Sequence, residues 1–296
     1  MKYIFMKEHV QEFSIERMSC VFKVSRSGYY RFLSTSLSTR RSENMRLLEK
    51  IKIIHHDSRQ VYGSPRIHAQ LRMQGESCSR KRVARIMRIE GLHAKMKRRF
   101  KVTTHVDLLS KKAPNLLQQD FTAEKPNQRW VADITYIATA EGWLYVAAIL
   151  DLFSRRIIGL AMNERMSTEL VTRALKQAII HRQPAKGLIH HSDKGCQYTS
   201  HAFQSELTSN NMMCSMSGTG NCYDNAAMES FFHTLKTEHV YFESYNTREQ
   251  AKQSIFEYVE VFYNRKRTHS TLGYLSPMVF ETKWEQQQNI FLPTVH

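Results

Sequence analysis

The chain has 296 residues, of which 42% are hydrophobic, so it is long enough to bury a core and to hold about two or three modules. Its longest apolar run, WLYVAAIL, is too short to cross a membrane and is interpreted as a buried strand. The N-terminus, MKYIFMKEHV, lacks the apolar region and cleavage site of a secretion signal. The five cysteines form no C-x-x-C pair, which favours reduced cytoplasmic thiols over disulfides or zinc.

The net charge of +16 points to a polyanionic partner, and its distribution is uneven. Residues 1–120 contain 26 basic residues (Lys and Arg) and 10 acidic residues (Asp and Glu). Residues 121–296 contain 17 basic and 17 acidic residues. A charge run usually means a solvated face. Because the whole excess lies in one part of the chain, the sequence predicts a DNA-binding region ahead of a neutral catalytic body.

Residues 1–40 have the rhythm of a helix-turn-helix. An apolar helix in FSIERMSCVF is followed by VSRSG and by a second helix start that carries Tyr29 and Tyr30. In a DNA-binding helix-turn-helix the second helix enters the major groove. An ordinary helical hairpin explains this pattern equally well.

Residues 41–102 are predicted to form a basic helical DNA-binding domain. A helix over 43–57 is expected to end before YGSP, and Pro65 suits the first turn of the next helix. Ser77 or Ser79 then caps a third helix that ends at Gly91.

The third helix has an apolar inner face and a crowded basic outer face. Val83, Ile86 and Met87 are predicted to point inward, and the basic residues are Arg80, Lys81, Arg82, Arg85 and Arg88. This crowding favours a recognition helix over a solvated face, although phosphate contacts give affinity without sequence preference. The basic surface continues in MKRRFK, and a linker over 103–126 follows.

From residue 127 onwards the pattern changes to strands and helices in alternation. RWVADITYIAT, WLYVAAILDLF and RRIIGLAMN predict an antiparallel meander, followed by a helix over 167–181 and a strand GLIHH that ends at Ser192. Next come a helix near 200–210, a strand MMCSMS, a flexible loop over 217–225 and a helix from about 225 to 240. An amphipathic helix over 247–264 leads into a basic tail.

Three carboxylates stand in unlike surroundings: Asp133 in VADITYI, Asp193 in HHSDKGCQY and Glu229 in DNAAMESFF. Carboxylates that converge from separate strands and a helix suit hard divalent cations, which promote phosphoryl transfer on nucleic acids. Spacing alone does not decide the set, since Glu169 follows Asp133 by the same 36 positions that separate Asp193 from Glu229. Glu169 has another explanation, because Ser167 can cap its helix and an acid suits the first turn.

The order of strands and helices is that of a ribonuclease-H-like sheet, and the motifs are specific. They are VSRSGYY, VYGSPRI, W-x-x-D-I-T-Y-I, H-S-D-x-G-x-Q-Y, N-C-Y-D-N-A-x-x-E-S-F-F and Y-N-x-x-R-x-H-x-x-L-G-Y-x-S-P. Together they make nearly the whole chain closely similar to the B-frame transposases of insertion-sequence family three, DDE transposases with a retroviral-integrase-like core. The resemblance implies an α/β ribonuclease-H-like core at 127–285, with a mixed five-stranded sheet and flanking helices. An all-α helix-turn-helix-type region precedes it and a tail over 286–296 follows.

The resemblance also implies a site and an activity. Asp133, Asp193 and Glu229 become the catalytic, metal-binding triad for two Mg²⁺ ions, which Mn²⁺ can replace. Lys236, two helical turns after Glu229, resembles the family's contact to terminal DNA. The implied reaction is cleavage at terminal inverted repeats and transfer of the freed 3′ end to target DNA.

The implied setting is the bacterial cytoplasm, with no membrane and with nucleoid association when DNA is bound. A homo-oligomer on DNA is expected because two ends must be held together, and an upstream-frame protein is expected as a fusion or partner.

Other residues near the motifs have less definite roles. His233 fits two interpretations equally well: a hydrogen-bonded histidine on the helix face, or a residue that approaches the metal ions. Asn225 and Asp224 are candidate caps, with Asp224 as a weaker fourth ligand. Gln197 and Tyr198 are candidates for positioning DNA.

Two other functions fit part of the pattern. The first is a DNA-binding regulator without catalysis, which would leave the three acids unexplained. The second is a ribonuclease-H-like nuclease or resolvase that cuts DNA without joining it.

Overall fold

The computed structural model describes residues 1–34, 39–96, 113–218 and 222–290. The helices are α1 (Lys2–Glu8), α2 (Ile15–Phe22), α3 (Arg26–Ser34), α4 (Thr39–Asp57), α5 (Ser64–Met73), α6 (Arg80–Ile89), α7 (Thr168–Arg182), α8 (Cys196–Thr199), α9 (His201–Ser209), α10 (Ala226–Glu238), α11 (Arg248–Glu257) and α12 (Pro277–Ile290). The strands are β1 (Arg129–Thr139), β2 (Gly142–Asp151), β3 (Ile157–Asn163), β4 (Ile189–Ser192) and β5 (Met213–Met216). Most of the MKRRFK stretch and the first part of the expected linker lie outside the described residues.

The helices before the sheet form two small units. In the first, α2 and α3 are separated by a short turn, as predicted, and Met6, Met18 and Tyr29 form its core. In the second, α4, α5 and α6 pack together through buried side chains that include Ile51, Ile67 and those predicted on α6.

Local sequence signals correctly predicted where α5 and α6 begin. Pro65 lies in the first turn of α5, and Ser79, rather than Ser77, caps α6 by accepting a hydrogen bond from the Arg82 N–H at 3.2 Å. On α4, Leu47 is buried and Met45 is exposed.

The core is a mixed five-stranded sheet in the order β3-β2-β1-β4-β5. Strands β1, β2 and β3 form the predicted antiparallel meander, whereas β4 runs parallel to β1 and β5 runs parallel to β4. Helices α7 and α9 cover one face of the sheet, and α10 and α11 cover the other. This is the expected ribonuclease-H-like arrangement, in which β1 is the central strand.

Helix α12 was not predicted as a helix, and it continues past the expected core boundary at residue 285. Its anchor is Glu281, whose buried carboxylate accepts hydrogen bonds from Arg182 at 2.7 and 2.9 Å, from Arg156 at 2.7 Å and from the Ser154 hydroxyl at 2.7 Å. Asp151 joins the same network through Arg182 at 3.1 Å. Buried charge pairs therefore pack α12 on the sheet domain.

The unit formed by α4, α5 and α6 docks directly on the sheet domain. The Tyr62 hydroxyl accepts a hydrogen bond from the Thr268 N–H at 2.6 Å, and Arg66 pairs with Glu238 at 3.3 Å. The carboxylate of Glu238, the last residue of α10, is also held by Arg267 through two hydrogen bonds of 2.7 Å. Hydrophobic side chains of both units belong to one continuous core.

Other chain segments occupy positions along both edges of the sheet. At the β3 edge, the Asn264 side-chain amide pairs with both backbone groups of Ile157, at 2.9 Å each. At the β5 edge, the Met216 N–H donates to the Pro114 carbonyl at 3.2 Å. None of the described helices has the length and apolar character needed to span a bilayer.

Gly159 marks the closest approach between β3 and α7. A Cβ at this position would lie 2.3 Å from the Ala174 carbonyl oxygen, which is backbone and cannot move aside. We expect Gly159→Ala to lower the free energy of unfolding by about 1–3 kcal/mol, as overpacking does in other cores. Chemical denaturation followed by circular dichroism measures the change.

The matched control is Gly63→Ala, where an added Cβ meets its nearest atoms at 3.7 and 3.9 Å. The control variant should lose less than about 1 kcal/mol of its free energy of unfolding, since only the preference for glycine at a helix N-cap is affected. An equal or smaller loss for the Gly159 variant would show that β3 and α7 are not tightly apposed.

Candidate active site

Asp133 lies in the middle of the central strand, as predicted. It is paired across the antiparallel ladder with Ala148, and its side chain is half-buried. The Oδ1 atom accepts a hydrogen bond from the Ile134 N–H at 2.8 Å, which fixes the orientation of the carboxylate.

Asp193 directly follows the end of β4, as predicted. In the parallel pairing of β1 and β4, Arg129 is opposite Ile189 and Val131 is opposite His191. If the same pairing is continued by two residues along each chain, Asp193 lies beside Asp133. The sheet therefore brings the two aspartates together from strands that are far apart in sequence.

Gly195 allows the chain to turn tightly around the Asp193 carboxylate. Its N–H donates to Asp193 Oδ1 at 2.9 Å, and a Cβ on Gly195 would lie 3.0 Å from that oxygen. A side chain here would press on the carboxylate, so glycine suits the turn between β4 and α8.

Glu229 lies on an exposed part of the first turn of α10, and the start of this helix is fixed to β1. The Asn225 side chain donates to the Ala132 carbonyl at 3.2 Å, one residue before Asp133. Met228 and Phe231 of α10 are buried in the core. The position of the helix relative to β1 thus depends on both polar and apolar contacts.

The carboxylates affect one another electrostatically. Burial and the neighbouring Asp193 raise the pKa of Asp133 to about 8, and Glu229 adds to the same effect. Burial also raises the pKa values of Asp193 and Glu229. Carboxyl groups are therefore concentrated where the middle of β1 meets the end of β4, and a cation there would stabilise their ionised forms.

The three carboxylates do not form a closed ligand set in this structure. Among the described residues there is no group of three or more His, Cys, Asp or Glu side chains arranged to hold a metal ion. Asp133 and Asp193 form the inner pair, and Glu229 is the second acidic neighbour of Asp133. The triad stays a prediction.

Lys236 lies on α10, two turns after Glu229 and beside the acidic pair. Its ammonium is 5.2 Å from the ring centroid of Tyr136, which follows Asp133 on β1. Burial lowers the pKa of Lys236, whereas the Asp133 carboxylate favours its charged form. Tyr136 and its neighbour Trp143 were not predicted to be functional residues, although T-Y-I and E-G-W lie in one predicted hairpin.

Three residues with less definite expected roles are buried: Asp224, Gln197 and Tyr198. Asp224 is buried and accepts hydrogen bonds from Gln119 and from the Gly218 N–H, and its roles as a cap or further ligand stay predictions. Gln197 and Tyr198 are buried rather than exposed to DNA, and the Gln197 amide donates to the Met166 carbonyl at 3.2 Å.

Two further expected features differ in the structure. The N-cap residue of α10 is Asn225, but its amide reaches β1 and makes no capping bond to the described part of the chain. Ser167 is the N-cap of α7 and likewise makes no side-chain capping bond there. The explanation of Glu169 therefore depends on the helix dipole, and its side chain is exposed.

His190 and His191 are buried residues of the core. Burial lowers the pKa of His190 to about 3 and that of His191 to about 4, so both are neutral. His191 is held between the hydroxyls of Ser215 and Ser217, at 2.8 and 3.1 Å. These contacts fix the end of β4 next to Asp193.

Four of the five basic residues on α6 have the exposure that a DNA-binding face needs: Arg80, Lys81, Arg85 and Arg88. Arg82 differs, because its guanidinium turns toward α4, with hydrogen bonds to Asn44 at 2.7 Å and Glu43 at 3.0 Å. Arg82 therefore connects α6 to α4.

Comparison with protein-family models divides the chain into the same two parts. A model described as "Integrase core domain" matches residues 123–222, and another of that description matches 229–284. A model described as "HTH-like domain" matches residues 42–100, the unit predicted to be basic and DNA-binding.

Two solved structures share part of the fold at low identity. The HTLV-2 integrase catalytic core domain in complex with magnesium (trimeric form) is 15% identical, with a TM-score of 0.43, over 54% of this chain and 99% of that chain. The catalytic core domain of BIV integrase in crystal form I is 18% identical, with a TM-score of 0.41, over 55% of this chain and 99% of that chain.

Curated relatives match almost end to end. "Insertion element IS600 uncharacterized 31 kDa protein" of Shigella sonnei is 45% identical over 269 residues, which cover 91% of this chain and 99% of the relative. "Transposase InsF for insertion sequence IS3A" of Escherichia coli (strain K12) is 43% identical over 285 residues, which cover 96% of this chain and 99% of the relative. Identity at this level over nearly the full length of both proteins shows that the chain belongs to the IS3 family of insertion-sequence transposases, with an HTH-like domain ahead of an integrase core.

Proposed function

We propose that this transposase binds double-stranded DNA through the exposed basic face of α6 and joins DNA ends at a divalent-metal site formed by Asp133, Asp193 and Glu229. The observation that carries the proposal is the position of Asp133 beside Asp193, where burial and like charge raise the pKa of Asp133 to about 8. Such an unfavourable concentration of charge in a stable fold is explained if the carboxylates serve to bind a cation.

The donor atoms fit a hard divalent cation. Asp133 and Asp193 each use Oδ1 to accept one backbone hydrogen bond, at 2.8 and 2.9 Å. Their Oδ2 atoms make no hydrogen bond to the described residues, and carboxylate oxygens are the ligands that Mg²⁺ and Mn²⁺ prefer. We propose two Mg²⁺ ions, with Mn²⁺ as a substitute, and Glu229 as the ligand contributed by α10.

The residues of the chain have distinct roles in the proposed reaction. A divalent ion, when bound, makes a water or a 3′-hydroxyl more nucleophilic and stabilises the departing oxygen. Asp133 and Asp193 hold their ligand oxygens at the rigid sheet, while Glu229 approaches from α10. Lys236, beside Asp133, supplies a positive charge for a phosphate of the DNA end.

The proposed substrates are the terminal inverted repeats of the element and a target DNA. We propose a homo-oligomer on DNA, because two ends have to be held together for coupled joining. An upstream-frame protein is proposed as a fusion or partner, and the bacterial cytoplasm, with nucleoid association on DNA, as the location.

Joining separates the proposed function from a nuclease or resolvase that only cuts. We expect the full chain, given pre-cut inverted-repeat ends and Mg²⁺ or Mn²⁺, to form a covalent product with target DNA. Denaturing gel electrophoresis of labelled ends measures it. Hydrolysis without joined product under both metals would support the cutting enzyme instead.

Removing one candidate ligand charge should abolish joining. Asp133→Asn, Asp193→Asn and Glu229→Gln are each expected to reduce strand transfer at least about 100-fold, because several kcal/mol of transition-state stabilisation are lost. The matched control is Glu169→Gln, which changes the exposed acid at the same spacing. Equal activity of the control and of any triad variant would remove that residue from the site.

The raised pKa of Asp133 gives a pH dependence with a definite sign. A carboxyl group whose pKa rises from 3.8 in the unfolded chain to about 8 in the folded protein destabilises the fold progressively as pH increases through that window. Without divalent metal, Asp133→Asn should therefore match the parent near pH 4 and exceed its melting temperature at pH 9. Thermal melting across this range tests the expectation.

Added Mg²⁺ or Mn²⁺ provides the second arm of the pH experiment. Because a ligand carboxylate must be ionised to bind, metal should stabilise the parent increasingly from pH 6 to about 9 and should have little effect on Asp133→Asn. A variant that is no more stable than the parent at pH 9 would contradict a strongly raised pKa.

Charge removal on α6 should weaken DNA binding and its salt dependence together. Arg85→Ala is expected to lower affinity for an inverted-repeat duplex and to reduce the slope of log K against log salt by about 1. Arg173→Ala, which removes an exposed arginine from α7, is the control and should leave the slope unchanged. Fluorescence anisotropy at several salt concentrations measures both; equal slopes would exclude α6 as the DNA contact.

A further inference from the structure

Two aromatic side chains are exposed next to each other on the hairpin formed by β1 and β2. Trp143 is 50% exposed and Tyr136 is 37% exposed. Their ring centroids are 4.9 Å apart, and the ring planes meet at 81°, which is an edge-to-face pair. Single exposed hydrophobic residues are common on protein surfaces, whereas an exposed pair of large rings beside a candidate active site needs an explanation.

The hairpin that carries this aromatic pair is held firmly to α11. Arg248 donates from its backbone N–H to the Glu141 carboxylate at 2.8 Å and from its guanidinium to the Glu141 carbonyl at 2.7 Å. The same guanidinium donates to the Trp143 carbonyl at 3.1 Å, and the Ala140 N–H donates to the Tyr245 carbonyl at 2.9 Å. Trp143 is therefore presented at a fixed position, so a ligand that stacks on it need not order the backbone first.

The aromatic pair adjoins the candidate active site through Lys236. The Lys236 ammonium lies over the Tyr136 ring, 5.2 Å from its centroid. Tyr136 is three residues beyond Asp133 on β1, a distance of about 10 Å along a strand. The two aromatic rings, a positive charge and the acidic pair thus follow one another along the edge of the site.

We propose that Trp143 and Tyr136 form a stacking platform for an unpaired nucleobase at a DNA end, with Lys236 beside the phosphate of the same end. Aromatic rings that stack bases, combined with basic side chains that follow the backbone, are how proteins hold single-stranded nucleic acid without reading its sequence. The proposal rests on the proposed function, since it assigns part of the DNA-end substrate to this surface. It predicts that the protein distinguishes a frayed or extended DNA end from a fully paired one.

A cross-strand aromatic pair can also serve only to stabilise a hairpin. In that case removal of Trp143 would lower stability and affect all DNA equally. The platform predicts the reverse, which is a loss confined to DNA that carries unpaired bases.

The binding test uses the full-length protein without divalent metal, so that no DNA is cut. The probes are a blunt duplex and the same duplex with a three-nucleotide single-stranded extension, compared by fluorescence anisotropy. We expect Trp143→Ala to weaken binding of the extended duplex about 5- to 100-fold, the range for loss of one stacked base, and to leave binding of the blunt duplex unchanged. Trp143→Phe, which keeps a ring, should retain most of the affinity.

Intrinsic fluorescence supplies an independent readout. The chain contains three tryptophans, of which Trp130 is fully buried and Trp284 packs against Phe153 at 5.6 Å. Quenching by the extended duplex should therefore come from Trp143 and disappear in Trp143→Phe, even though binding persists. Phe256→Ala, which removes a ring that is 57% exposed on α11, is the control and should change neither signal.

The outcomes separate this proposal from the proposed function. If Trp143→Ala binds both probes as tightly as the parent does, or loses affinity for both probes equally, the stacking platform is wrong. This result would not bear on the proposed joining activity, which the strand-transfer assay tests separately. If extension-dependent quenching occurs but no joined product forms in the strand-transfer assay, the platform stands and the joining reaction fails. A melting temperature for each variant confirms that the folded protein was tested.

Discussion

The position of α10 depends on the carboxylate of Glu238. Burial alone would raise the pKa of this group, yet hydrogen bonds and the charges of Arg267 and Arg66 hold it below its usual value. Arg267 belongs to the segment before α12 and Arg66 to α5, so one buried anion joins three parts of the chain. Loss of one partner from such a cluster costs about 3–5 kcal/mol, because the remaining charge is left buried. Since α10 also carries Glu229, the geometry of the candidate site depends on contacts far from it.

The sheet domain treats buried charge in two different ways. Around Glu238 and Glu281, arginines compensate the carboxylates and lower their pKa values despite burial. At Asp133 and Asp193 the pKa values are raised, and Lys236 offsets the effect at Asp133 only in part. A raised pKa alone does not identify a site, because burial also raises the pKa of Asp151 in the structural network around Arg182. At Asp133 the like charge of Asp193 adds to the effect of burial, whereas at Asp151 the charge of Arg182 opposes it.

Local patterns predicted local structure well. The bounds of β1 were correct to the residue, because its residues are rich in apolar and β-branched types and a glycine turn follows, and Asp133 was thereby placed at mid-strand. Contacts between distant segments were not predictable. Arg82 was assigned to DNA, but it bonds to Asn44, which is 38 residues away, and α12 is held through an ion pair between residues 99 apart. No periodicity in a single sequence encodes such pairs. The Tyr136–Trp143 contact is local, because both residues lie on the predicted hairpin, but the pattern did not show that the two rings would be exposed.

The covered sheet edges restrict how copies of the protein can assemble. An open edge strand offers unpaired backbone groups to another chain, which makes strand addition the simplest route to association. Here the backbone groups of Ile157 are occupied by Asn264, and the N–H of Met216 is occupied by Pro114. A second copy would have to displace these bonds to extend the sheet. Strand addition at these two positions would therefore compete with contacts that the chain makes within itself, which favours other surfaces for assembly.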